Sequence, residues 1–274
     1  MEKKASIADE VRRVRRGRSV VRRLFPHLLL TLAATLPFLS GLTSGDTFYF
    51  RDVSRAFFPQ RHYAVRGLLR GELRFWNGLV NEGVPLFPPP ISYPFDLLQT
   101  LLPSDSGFSF ILVLHVLLGA YGFYGLARRA LQSSQAAAVG GALIYALGGF
   151  YLSCLNLYVH LLSAAWAPFI VWSVLWSMNG SPRRTLVAAF STAIGLSTCG
   201  IEIVAQAMIV AAVTAVVRRR FRAGSLIRLG VIVCLAAALA APVLLPVSAR
   251  LAGSERAAGF TPEVVLANSI YPLS

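Results

Sequence analysis

The stretch RDVSR at residues 51–55 sets a carboxylate between two guanidinium groups. Asp52 can act there as a general base toward a hydroxyl, or it can hold a divalent metal. Arg51 and Arg55 are four residues apart, so on a helix they share a face. Two guanidinium groups on one face suit a phosphate. The plainer reading is a loop carboxylate paired with Arg55. Glu202, in STCGIEIVAQ, stands beside an apolar run. A carboxylate is expensive there and so marks a functional position, or else it opens a helix and favours its dipole. His160, in NLYVHLL, is placed on the same side as Asp52 and Glu202. His115, in LVLHVLL, reads as a helix-to-helix hydrogen-bonding residue. Trp76 and Asn77 can form a sugar-binding surface, or Trp76 can serve as an interfacial anchor. No H-E-x-x-H or comparable ligand spacing accompanies these residues.

The elements that position them are apolar. The chain has 274 residues, of which 55% are hydrophobic and only 14% charged, and the mean hydropathy is +0.62. Soluble domains carry about a quarter charged residues, and a bilayer is the medium that absorbs such a composition. The formal net charge is +14. Its basic residues come in short clusters at the ends of apolar runs: Arg128 and Arg129, Arg183 and Arg184, and Arg218, Arg219, Arg220 and Arg222. That is the positive-inside pattern rather than a nucleic-acid-binding face. Cys154, Cys199 and Cys234 form no C-x-x-C pair and imply neither a zinc site nor a disulfide framework.

The expected fold is an all-α polytopic membrane protein. Residues 1–24 form a basic cytoplasmic tail and 25–274 a membrane domain. Seven spans are predicted, at 25–42, 108–127, 136–153, 161–178, 185–200, 202–217 and 226–247. With the N-terminus in the cytoplasm, every Arg cluster in a short loop falls on the cytoplasmic side. The spans at 185–200 and 202–217, separated only by STCGIE, can instead form a tight hairpin or a broken helix. Residues 43–107 become a long first extracytoplasmic loop. Within it, 60–70 reads as an interfacial helix with Tyr63, Leu68 and Leu69 set against Arg61, Arg66 and Arg70. FPPPISYP reads as an extended strap, because Pro lacks the N–H and restrains its predecessor. FDLLQTLLP reads as a short re-entrant or interfacial helix ending at Pro103. The sequence closes on what looks like the start of another interfacial element, so a longer chain is expected.

The ordered pieces FRDVSRAFFPQR, GELRFWNGLVNEGVPLF, YPFDLLQTLLP, GAYGFYGLARR, GALIYALGGFYLS and HLLSAAWAPFIVW resemble the YfhO-type bacterial membrane proteins of the GT-C glycosyltransferase superfamily. The resemblance covers about residues 46–180, with a fainter echo at 198–206. It departs from the family pattern at Leu73-Arg74, where Pro-Leu-Trp is common, and at Gly78, where Pro is usual. It implies a GT-C-like fold with a structured first outer loop, in the cytoplasmic (inner) membrane. It implies transfer of a sugar from a polyprenyl-phosphate carrier to a glycan, lipid or envelope acceptor on the outer face. Asp52 would be catalytic, with Arg51 and Arg55 on the phosphate. Trp76, Asn77, Tyr93, His160 and Glu202 would be the substrate-binding set. The partners implied are the lipid-linked donor and membrane lipids, with no nucleic acid. A divalent metal at Asp52 is the one cofactor considered. The competing readings are a transporter or flippase of lipid-linked envelope precursors and a non-catalytic assembly scaffold.

Overall fold

A computed structural model describes residues 24–44, 52–80, 83–86, 92–178, 180–218, 223–253, 257 and 259. Arg51, the expected basic tail before residue 24 and most of the FPPPISYP strap lie outside these residues. The described chain is helical apart from one two-stranded hairpin.

The helices follow the apolar runs. They are α1 (Leu24–Thr43), α2 (Phe58–Leu68), α3 (Pro94–Leu101), α4 (Asp105–Gly125), α5 (Gln135–Leu147), α6 (Gly149–Cys154), α7 (Tyr158–Ser177), α8 (Pro182–Ser197), α9 (Ile201–Val217) and α10 (Ala223–Ala252). Five segments are long and apolar enough to cross a membrane: α1, α4 with its extension to Ala130, the α5–α6 run, α7 and α10. At 1.5 Å per residue, α8 and α9 are each about 25 Å long, short of a full hydrocarbon core.

Local chemistry sets the ends. Ser104 caps α4 by accepting from the Gly107 N–H at 3.1 Å, and Ser134 caps α5 by accepting from Ala137 at 3.2 Å. The expected single span at 136–153 is broken at Gly148, whose ψ of 156° is extended. A side chain there would strike the Ile144 carbonyl.

Helices α7 and α4 lie at the centre, with 67% and 56% of their apolar windows buried against 22% for α1. Close approach explains part of this. At Gly122 and Gly125, a Cβ would meet the rings of Phe169 and Trp172 at 2.6 and 2.9 Å, so α4 presents bare backbone to α7. Pro168 inside α7 removes the N–H that would serve the Ala164 carbonyl. The Tyr145 hydroxyl of α5 donates to that carbonyl at 2.6 Å and replaces it. Around this pair of helices, α1, α8, α9 and α10 turn outward such apolar residues as Leu28, Leu186, Ile209 and Leu239. That is the surface of a membrane protein.

The two ends differ in chemistry. At one end, Arg218 donates to the carbonyls of Ala130 and Leu131, each at 3.2 Å, and Arg228 donates to Met178 at 3.4 Å. Arg129 and Arg184 lie over the rings of Trp172 and Trp176. Guanidinium groups thus close the carbonyl ends of α4 and α7. At the other end stands the hairpin of β1 (Trp76–Asn77) and β2 (Val84–Pro85), antiparallel with Trp76 opposite Pro85. Arg250, near the end of α10, donates to the Pro85 carbonyl at 3.1 Å.

Candidate functional site at the hairpin end

The site begins at the turn Val53–Phe57, which is wound as a π-helix and runs into α2. Pro59 lies in the first turn of α2, where a missing N–H costs nothing. Val53 is fully buried, while Asp52 and Arg55 are exposed on either side of it. The buried face of α2 carries Arg61, Ala64, Val65 and Gly67. This corrects the expected amphipathic arrangement, which put Arg61 on the polar side and Leu69 on the apolar one. Arg61 is 4% exposed and Leu69 is 55% exposed. The inward turn is accommodated by Tyr158, whose ring centroid lies 5.6 Å from the Arg61 guanidinium carbon.

Tyr158 opens α7, and His160 follows within its first turn. The expected outer turn at 154–160 is therefore shorter, because the Leu157 carbonyl already accepts the N–H groups of His160 and Leu161. His160 Nε2 lies 2.5 Å from Glu202 Oε1. Glu202 reaches it because α8 reverses into α9 over Thr198–Gly200 as a tight hairpin. Cys199 adopts φ 69°, a left-handed conformation rare for a side chain of its kind. Gly200 packs so closely on α7 that a Cβ would strike Ser163 Oγ. The Ser163 and Thr198 hydroxyls meet at 2.5 Å in the same contact. His160 Nδ1 and the Asn156 side-chain oxygen are buried, with no hydrogen-bond partner among the described residues.

Tyr93 is placed differently. It is 1% exposed, and its hydroxyl lies 2.7 Å from His115 Nε2 and 2.7 Å from Trp166 Nε1. His115 Nδ1 is 2.7 Å from the Ile111 carbonyl, which can only accept, so Nδ1 carries the proton. Nε2 is then an acceptor, the Tyr93 O–H donates to it, and the Tyr93 oxygen accepts from the Trp166 indole. This chain of donors runs through the neutral imidazole. It links the loop before α3 to α4 and α7. Tyr93 is thereby a positioning residue that seats α3 on the bundle. The His115 ring thus bonds its own helix and the loop before α3, where a bond to a neighbouring helix was expected.

The hairpin presents Trp76 and withdraws Asn77. The Trp76 side is 57% exposed, and its indole lies over Gly83, where φ is 111° and a Cβ would collide with it. Asn77 is 3% exposed, and its Oδ1 accepts the Leu79 N–H at 3.0 Å, shaping the turn. Arg74 pairs with Glu72 at 2.5 Å and lies 4.6 Å over the Tyr63 ring. The Glu72 hydrogen bond holds the Arg74 guanidinium above its usual pKa.

One buried apolar cluster ties these parts together. It includes Val53, Tyr158, Val159 and Ile203, the chain neighbours of Asp52, His160 and Glu202. His160 and Glu202 meet directly, and the Phe57 ring, 5.5 Å from that of Tyr158, sets the turn that follows Asp52 against the start of α7. Arg61 was missed as a site residue. Its signal was the spacing with Ala64 and Val65, masked by the arginines around it. Among the described residues, no group of three or more His, Cys, Asp or Glu gathers that could hold a metal ion.

Compared with known protein families, with curated proteins and with solved structures, the chain matches none.

Proposed function

We propose that this protein is a multi-pass glycosyltransferase of the YfhO-like GT-C kind. It would move a sugar from a polyprenyl-phosphate carrier to a hydroxyl acceptor at its hairpin end. The observation that carries the reading is the shared core of Val53, Val159 and Ile203. With the Phe57–Tyr158 ring contact, it supports grouping Asp52, His160 and Glu202 at one end of an apolar helical bundle. A carrier whose tail stays in lipid and whose head group emerges at the surface needs its reaction centre at such an end.

The orientation follows from charge. The arginine-bearing connections lie at the opposite end, so the positive-inside rule turns the hairpin end to the outside and the N-terminus to the cytoplasm. With α8 and α9 counted as crossings, the chain spans seven times. The reaction is acyl-free and needs no nucleotide. Asp52 takes the acceptor hydroxyl's proton as its oxygen bonds the anomeric carbon. The bond from that carbon to the carrier phosphate oxygen breaks, and the phosphate leaves with the electron pair. Arg55 and Arg61 offset its charge, as guanidinium groups do. The His160–Glu202 pair holds sugar hydroxyls, and the exposed Trp76 ring offers an apolar face to the sugar.

Comparing envelope glycans from cells with and without the gene tests the proposal. Loss of one sugar from a surface polymer, with accumulation of its polyprenyl-phosphate form, is expected. Identical glycans and carrier pools in the two strains contradict it.

A further inference from the structure

The basic end carries a second feature, unrelated to the reaction above. Where α8 and α10 begin, a groove of about 370 Å³ lies along the two helices. Its lining includes Gly180, Leu186, Ile227, Arg228, Val231 and Leu235. The apolar walls face out of the bundle: Leu186 is 59% exposed, Ile227 73%, Val231 42% and Leu235 37%. Arg228 stands at the mouth. Its Nη1 is held by the Met178 carbonyl at 3.4 Å, and its Nη2 lies beside Gly180, whose φ is 91° and which adds no side chain to close the opening.

Among the described residues the charge around the groove has no acidic counterpart. Residues 106–201 and 203–254 contain no Asp or Glu, yet they include Arg128, Arg129, Arg183, Arg184, Arg218 and Arg228. The described acidic residues Asp52, Glu72, Asp96, Asp105 and Glu202 all lie on elements of the hairpin end. Among the described residues no carboxylate stands at this end to balance Arg228. From Arg228 to Leu235 the groove descends about 10 Å at 1.5 Å per residue, along residues that a bilayer would cover with acyl chain. A cation above an apolar trough of that depth matches an anionic phospholipid, head group upward and one chain down.

We infer that the groove between α8 and α10 is a binding site for an anionic phospholipid of the leaflet at the basic end, with Arg228 on its phosphate. The inference is independent of the glycosyltransferase reading. It is tested on the intact protein in nanodiscs of equal phosphatidylglycerol and phosphatidylcholine, by native mass spectrometry of retained lipid. One phosphatidylglycerol should be retained over phosphatidylcholine about fivefold, the preference one arginine near an anionic head group confers. Arg228→Gln should abolish the preference. Val231→Trp, which fills the trough and keeps the arginine, should remove the bound lipid as well. Inorganic phosphate added in excess should not displace it, because the chain contributes to binding. Equal retention of the two lipids by the unaltered protein would overturn the inference. So would unchanged phosphatidylglycerol retention in both variants, or displacement by phosphate alone.

Discussion

His160 Nε2 lies 2.5 Å from Glu202 Oε1 and joins the first turn of α7 to the first turn of α9. The two side chains are 33% and 55% exposed, so water screens the pair and its contribution to stability is modest. A double-mutant cycle with His160→Ala and Glu202→Ala should give a coupling of about 0.5–1 kcal/mol in thermal or denaturant unfolding. Both single variants should lose most sugar transfer, because the pair is assigned to the substrate rather than to the fold. Full transfer by either variant would remove the pair from the site.

Tyr145 repairs the gap that Pro168 leaves in α7. Tyr145→Phe strands the Ala164 carbonyl in an apolar interior and should destabilise the protein by about 1–3 kcal/mol. Pro168→Ala returns an N–H to that carbonyl. The double variant Tyr145→Phe with Pro168→Ala should therefore be more stable than Tyr145→Phe alone. Additive losses in the melting temperatures would show that the carbonyl was never the issue.

Arg61 is the buried cation of α2, and Arg66, on the same helix, is exposed. Arg61→Lys keeps the charge but loses the planar fork that rests on Tyr158 and can grip a phosphate. It should lower transfer at least tenfold, on the order of one lost charge-assisted hydrogen bond. Arg66→Lys should leave transfer unchanged. Equal effects at the two positions would mean that α2 contributes only general positive charge.

The orientation has its own test. In a chain freed of Cys154, Cys199 and Cys234, Trp76→Cys should react with a membrane-impermeant maleimide in intact cells. Arg184→Cys should react only after the cells are opened. The reverse pattern would turn the molecule over and put the hairpin in the cytoplasm.

The apolar helices were legible in the sequence because membrane burial needs long runs, and the runs at 25–42 and 161–178 fall within two residues or so of α1 and three of α7. The tight reversal at STCGIE was legible as an alternative. What escaped was set by contacts between distant segments. No local pattern tells that Tyr145 will answer Pro168, since the two meet only when α5 lies on α7. Arg61 was assigned to water because its own residue type outweighed the spacing of Ala64 and Val65, and only Tyr158, far along the chain, offers it a ring. Gly148 marked a break in the span at 136–153 that mean apolarity concealed. At the candidate site, the residue types of Asp52, His160 and Glu202 drew notice from sequence. Their shared core did not, because Val53, Val159 and Ile203 look like any other apolar residues until they pack.

The central claim rests on Asp52 as the base. The direct measurement is transfer of labelled sugar from a polyprenyl-phosphate donor in membranes holding equal amounts of the unaltered protein or of Asp52→Asn. The substitution keeps the side-chain shape and removes the proton acceptor, so label should pass from the lipid to the acceptor fraction with the unaltered protein and stay at background with the variant. Transfer by Asp52→Asn at the unaltered rate would contradict the account.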